Sequence, residues 1–183
     1  MEMTDSRSIA APPEVVWEAL LNPEVLKAAV PGCEEMTGSA DEGFEATVVQ
    51  KVGPVKARFS GKVILSERVP PESLLLSGEG KGGAAGFAKG EARVRLEPGA
   101  DGGTVLHYAV EAKVGGKLAQ LGSRIIDGFA RKMADEFFAR FQAAVEGPPA
   151  EDEARPADAE DGGEAPRKSG WFRRMIGKSG DAE

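Results

Sequence analysis

Two stretches of the chain alternate without a break between small or apolar residues and polar ones. Val55, Ala57, Phe59, Gly61, Val63 and Leu65 fall on one side of the first, with Lys56, Arg58, Ser60 and Lys62 on the other. In the second, Ala88, Gly90, Ala92, Val94 and Leu96 oppose Lys89, Glu91, Arg93 and Arg95. Strict period-two patterning belongs to β-strands with one face buried and one in water. A chain built around such strands needs an antiparallel sheet and something apolar to cover its dry face.

The covering element is predicted over residues 117–145, where Leu118, Leu121, Ile125, Phe129, Met133, Phe137 and Phe141 recur at three- and four-residue steps, as one face of a helix requires. Ahead of it, the pattern gives a short strand over about 2–10 and a helix starting at Pro12-Pro13-Glu14, where proline and an acid suit the first turn. A second short helix covers about 23–29. Strands follow at about 33–38, 43–52, 54–68, 73–80, 86–97 and 103–114. In the last, Leu106, Tyr108, Val110, Ala112 and Val114 share the dry side. The order of elements predicts an α+β fold in which a curved antiparallel sheet grips one long C-terminal helix.

The dry positions hold unexpectedly small residues. An interface packed to the usual interior density presents large side chains, yet Ala57, Gly61, Ala88, Gly90, Ala92 and Ala112 all point inward by alternation, and Gly122 shares the helix face. Glycine within a helix costs about 1 kcal/mol relative to alanine, so it asks for a reason. Either helix and sheet approach closely, or room is kept for a ligand. The expected cavity lining is Ala57, Phe59, Gly61, Leu76, Phe87, Ala88, Gly90, Ala92, Tyr108, Leu118, Leu121, Gly122, Ile125, Phe129 and Met133. Such a wall suits an apolar ligand.

Little in the sequence supports catalysis, which needs titratable groups converging in a pocket. The single histidine, His107, falls on the wet face. The single cysteine, Cys33, can form no internal disulfide and no multi-cysteine metal site; it fits a reducing, cytoplasmic setting. Gly78-Glu79-Gly80-Lys81-Gly82-Gly83 matches G-x-G-x-x-G, but a strand follows instead of the helix whose N-terminus would hold a pyrophosphate. No secretory signal is apparent at the N-terminus, and no run of about 18 apolar residues crosses a bilayer.

Charge divides the chain into three zones. Residues 1–145 hold 17 basic and 20 acidic residues. Residues 146–166 hold eight acids, one base, four prolines and no large apolar residue. Such a stretch cannot bury enough surface to offset its chain entropy, and a disordered linker is expected. The net charge of -7 argues against the whole domain being a nucleic-acid binder, because phosphate neutralisation needs clustered Lys and Arg. Residues 167–183 turn basic again. On a helical projection Trp171, Phe172, Met175 and Ile176 span about 140° opposite Arg173, Arg174 and Lys178. With Arg167 and Lys168 this is the pattern of a short interfacial helix on an anionic membrane surface.

Four motifs carry a resemblance. Pro31-Gly32-Cys33-Glu34, Lys51 to Ala57 leading to Gly61-Lys62-Val63, the loop Gly78 to Gly90, and Gly115 to Gly128 together resemble the carbon monoxide dehydrogenase G-subunit family over residues 1 to about 145. Pro13 to Leu20, with Trp17, is similar to the first helix of the wider helix-grip superfamily of START-like and plant-allergen-like ligand binders. The resemblance implies a helix-grip domain that accompanies a molybdenum carbon monoxide dehydrogenase or related hydroxylase. It also implies a link between that enzyme and the membrane quinone pool, with a menaquinone, ubiquinone or similar lipid in the cavity. The protein would then be a non-enzymatic, peripheral membrane protein of the cytoplasm. A ligand-free recruitment or maturation factor for the same dehydrogenase is the alternative.

Overall fold

The computed structural model describes residues 1–147. Its elements follow the order read from the sequence: β1 (Glu2–Ile9), α1 (Pro13–Leu20), α2 (Pro23–Ala29), β2 (Cys33–Ser39), β3 (Gly43–Val52), β4 (Val55–Val69), β5 (Ser73–Lys81), β6 (Phe87–Pro98), β7 (Thr104–Gly115), α3 (Lys117–Gln120) and α4 (Ser123–Glu146). The seven strands form one antiparallel sheet in the order β1-β7-β6-β5-β4-β3-β2. Chain order is kept across the sheet except that β1 joins at the far edge, beside β7. The fold is α+β, a curved open sheet with a C-terminal helix across it.

Local chemistry accounts for the ends of the helices. Pro13 opens α1 and Pro23 opens α2, each at a position where the missing N–H is no loss. The Asn22 side chain accepts a hydrogen bond from the Glu24 N–H at 2.9 Å, which caps α2. Thr104 is fully buried, and its hydroxyl donates to the Ala11 carbonyl at 2.6 Å, which ties the start of β7 to the loop before α1.

The long helix departs from expectation. Residues 117–145 do not form one helix, because Gly122 has φ +91° and stops α3 after a single turn. Glycine reaches that conformation without the steric cost other residues meet. The break re-phases the following helix. Ile126 turns inward in place of Ile125, which is 41% exposed.

The core is concentrated at one end of the sheet. Ile9, Val16, Leu106 and Phe141 are almost wholly buried there, along with Trp17, Leu74, Leu96 and Phe138. Phe137 stacks on Phe141, Phe138 meets both edge-on, and Phe138 stacks on Tyr108 with ring centroids 5.1 Å apart. The C-terminal half of α4 is thereby fixed to β7, β1 and α1. Its N-terminal half, around Phe129 and Met133, stands off the sheet.

Candidate functional site

Where α4 stands off, it leaves a cavity of about 630 Å³. Phe129, Ala130, Met133 and Ala134 form its helical wall, and β3 to β7 form its floor. Leu26, Val30 and Met36 close the side nearest β2. Of the residues lining it, only Gln50 and Tyr108 carry nitrogen or oxygen in their side chains, and no side chain is charged. The Gln50 amide donates to the Pro31 carbonyl. The Tyr108 hydroxyl accepts from the Arg7 guanidinium at 3.1 Å.

Arg7 gives this wall its only strong electrostatic feature. The guanidinium lies over the Phe138 ring, 5.1 Å from its centroid, and pairs with Asp135 at 2.7 Å. Partial burial opposes its charge, but hydrogen bonds to Tyr108 and Asp135, together with their fields, hold it more firmly protonated than usual. Because Tyr108 accepts from Arg7, its own O–H proton is free to point elsewhere. The polar part of the lining is therefore the Tyr108 hydroxyl and the Gln50 amide, set in an otherwise aliphatic and aromatic surface.

Eight of the fifteen residues expected at a cavity line it: Phe59, Leu76, Ala88, Ala92, Tyr108, Leu118, Phe129 and Met133. The other seven are placed elsewhere. Phe87 sits on the wet face of the sheet and is 42% exposed, as the opposite parity to Ala88 demands. Ala57 lies beyond the lining, near the β3–β4 turn, paired with Gln50. Leu121 and Ile125 pack over that turn, where their methyl carbons lie 3.9 and 3.5 Å from the point a Gly53 Cβ would occupy. Gly122 is the helix break described above. Gly61 and Gly90 line a separate concavity with Lys62, Glu79, Lys89 and Glu91, and a Cβ on them would meet the Glu79 carbonyl oxygen at 3.0 Å and the Glu111 carbonyl oxygen at 2.2 Å. Close approach of neighbouring strands accounts for their missing side chains.

Residues the sequence did not single out include Leu26, Val30, Met36, Phe44, Val48 and Ile126. The alternation of Phe44, Ala46, Val48, Gln50 and Val52 along β3 was the available signal. His107 is on the wet face and meets Glu97 at 2.9 Å. Cys33 is a free thiol whose Sγ lies 3.3 Å from the Glu35 carbonyl. Among the described residues no group of three or more His, Cys, Asp or Glu is placed to hold a metal, and no helix is long and apolar enough to cross a membrane. The linker and tail readings, including Arg167, Lys168 and Trp171 to Lys178, lie outside the described residues.

The family model for the carbon monoxide dehydrogenase G-subunit (CoxG) matches residues 6–146. The chain belongs to the CoxG family. Solved structures share its architecture. A conserved protein of Geobacillus kaustophilus is 27% identical, with a TM-score of 0.75 over 80% of this chain and 95% of that one. A START superfamily protein of Mycobacterium smegmatis is 13% identical, with a TM-score of 0.59 over 79% of this chain and 97% of that one. At that identity the second likeness speaks for the fold alone. No protein with a curated description matches the sequence.

Proposed function

We propose that this CoxG family member is a non-enzymatic accessory protein of a carbon monoxide dehydrogenase-type molybdenum hydroxylase. It carries an apolar ligand, a respiratory quinone or a similar lipid, and links the soluble enzyme to the membrane. The observation that carries this reading is the cavity of about 630 Å³ with no charged side chain in its lining. Small-molecule sites typically run from about 300 to 1,000 Å³ and are mostly apolar with a few placed polar groups. The cavity has that balance, with Tyr108 the main polar group.

The chemistry of the cargo supplies the reason for a carrier. Each methylene of an isoprenoid tail costs about 0.8 kcal/mol when exposed to water. A soluble dehydrogenase therefore meets such a quinone only at a bilayer or inside a protein that shields it. The basic, tryptophan-bearing segment 167–178 is read as a weak membrane foot that keeps the carrier near its source. The lining holds no carboxylate pair, histidine or thiol to move a proton, which favours carriage over turnover.

The test is organic extraction of the purified full-length chain, followed by mass spectrometry of what is released. A stoichiometric isoprenoid quinone is the expected result. A chain that stays empty after incubation with quinone-loaded vesicles sinks the carrier reading and leaves recruitment or maturation of the dehydrogenase in its place.

A further inference from the structure

The two ends of the sheet carry opposite charge. At one end, the connections around the β3–β4 turn (50–58), the β5–β6 loop (80–90) and the β7–α4 passage (112–126) hold eight Lys and Arg residues and no Asp or Glu. All eight are exposed. At the other end, residues 39–43, 67–73 and 97–104 hold six acids against Arg68 alone.

The three basic connections form one surface. Leu121 and Ile125 lie over the Gly53 turn, Phe59 lies against Gly82, and Gly86 packs on Gly115 and Gly116. Two pairs of lysines face each other directly across strands, Lys51 with Lys56 and Lys89 with Lys113. Like charges at such positions destabilise a sheet. Among the described residues none of these four lysines has an acid within ion-pair distance. Glu79, Glu91, Glu111 and Asp127 flank these connections. Lys89 also faces Glu79, and Arg58 and Lys81 pair with Glu34 and Glu79, so the charge left for something outside the fold centres on Lys51, Lys56, Lys113 and Lys117.

Apolar bulk rises from the same surface. Phe87 and Ile125 are 42% and 41% exposed, and Pro54 at the turn is exposed as well. The cavity reaches this end, since Val52, Phe59, Ala88, Val114 and Leu118 line it and belong to or border the three basic connections.

We propose that the basic end of the folded domain is a docking surface for an anionic phospholipid bilayer. Lysines including Lys51, Lys56 and Lys117 meet the lipid phosphates, while Phe87 and Ile125 enter the interface. The acidic opposite end orients the approach, because a molecule polarised in this way turns its basic pole to a negative leaflet. An acidic protein with an apolar patch would also satisfy these groups; a bilayer is favoured because it offers phosphates and an apolar interior together and is where an apolar cargo resides. The purpose of docking rests on the carrier reading; docking itself is measured without quinone.

The experiment uses the full-length chain carrying Trp171→Ala and Phe172→Ala, which weakens any contribution from the tail. Its affinity is measured for vesicles of phosphatidylcholine alone and of phosphatidylcholine with 30% phosphatidylglycerol, roughly the anionic content at which a negative surface potential develops. Binding is expected only to the anionic vesicles. The Lys51→Gln, Lys56→Gln, Lys117→Gln variant is expected to bind about 100-fold more weakly, at about fivefold per charge. Phe87→Ser is expected to cost about tenfold. Circular dichroism establishes that each variant is folded, and Phe87→Trp emission should shift to the blue on anionic vesicles. Unchanged affinity in the lysine variant, or binding to neither vesicle, overturns the proposal; the latter is the result an acidic protein partner would give. Quinone uptake from detergent separates the two readings. Lost docking with quinone uptake retained refutes the surface alone, and lysine-dependent docking without any quinone uptake refutes the carrier alone.

Discussion

Replacing Ala92 with phenylalanine tests whether the cavity is empty space. Ala92 lies on β6 between Leu76 of β5 and Val110 of β7, and all three line the cavity. If the space is a void in the ligand-free protein, the added ring is buried without displacing anything and contributes about 1.5–3 kcal/mol. If the space is filled by side chains that move in, the ring overpacks the interior and costs about 1–3 kcal/mol. The two cases differ in sign, which makes the outcome decisive. For a chain of this length, 1 kcal/mol shifts Tm by about 2–4 °C. The expected result by differential scanning calorimetry of stripped protein is therefore a rise of roughly 3–12 °C, with quinone uptake reduced at least tenfold. A fall in Tm of similar size with uptake unchanged would refute the reasoning, since neither the void nor its use would then be real.

Two glycines should respond to alanine in opposite directions. Gly122→Ala forces a left-handed conformation on a residue with a Cβ, and a loss of about 1–2 kcal/mol is expected. Gly128→Ala, within α4 and with open space around its Cβ, should gain about 0.4–1 kcal/mol; urea unfolding reads both. Tyr108→Phe removes the acceptor from the part-buried Arg7 and should cost about 1–3 kcal/mol in the same assay. It should also weaken a quinone more than a pure hydrocarbon of similar size. Glu97 is held below the usual carboxylate range, first by its hydrogen bond from Arg95 and then by His107. A depressed carboxylate contributes stability above its unfolded-state pKa and loses it as pH falls through the lower folded value. Carboxyl NMR should therefore show Glu97 titrating below the ordinary glutamate value, with Arg95→Gln moving its midpoint up.

Strand positions were legible to within about one residue, because alternation reports directly on a sheet with one dry face, as Lys56 to Leu65 illustrate. What misled was phase and motive. The run from Leu118 to Phe141 keeps helical spacing straight through Gly122, so periodicity alone passes over the break; the pair Gly122-Ser123, a stop followed by a start, was the better signal. Phe87 was counted in the cavity lining although its parity with Lys89 put it outside. Gly61 and Gly90 read identically whether glycine makes room for a ligand or for a neighbouring strand. Only the distance to the next backbone separates the two, and that distance depends on how tightly the sheet coils.

Helix α4 behaves as a beam. Its far end is clamped by Phe137, Phe138 and Phe141, its near end is propped where Ile125 meets the Gly53 turn, and α2 braces one flank. Toward the sheet, Phe129, Ala130 and Met133 face the cavity, so that side lacks the dispersion contacts that a packed interior supplies. A guest molecule becomes the missing pier. Occupancy should therefore be felt first as slower amide exchange along the middle of α4, while the sheet beneath it registers almost nothing.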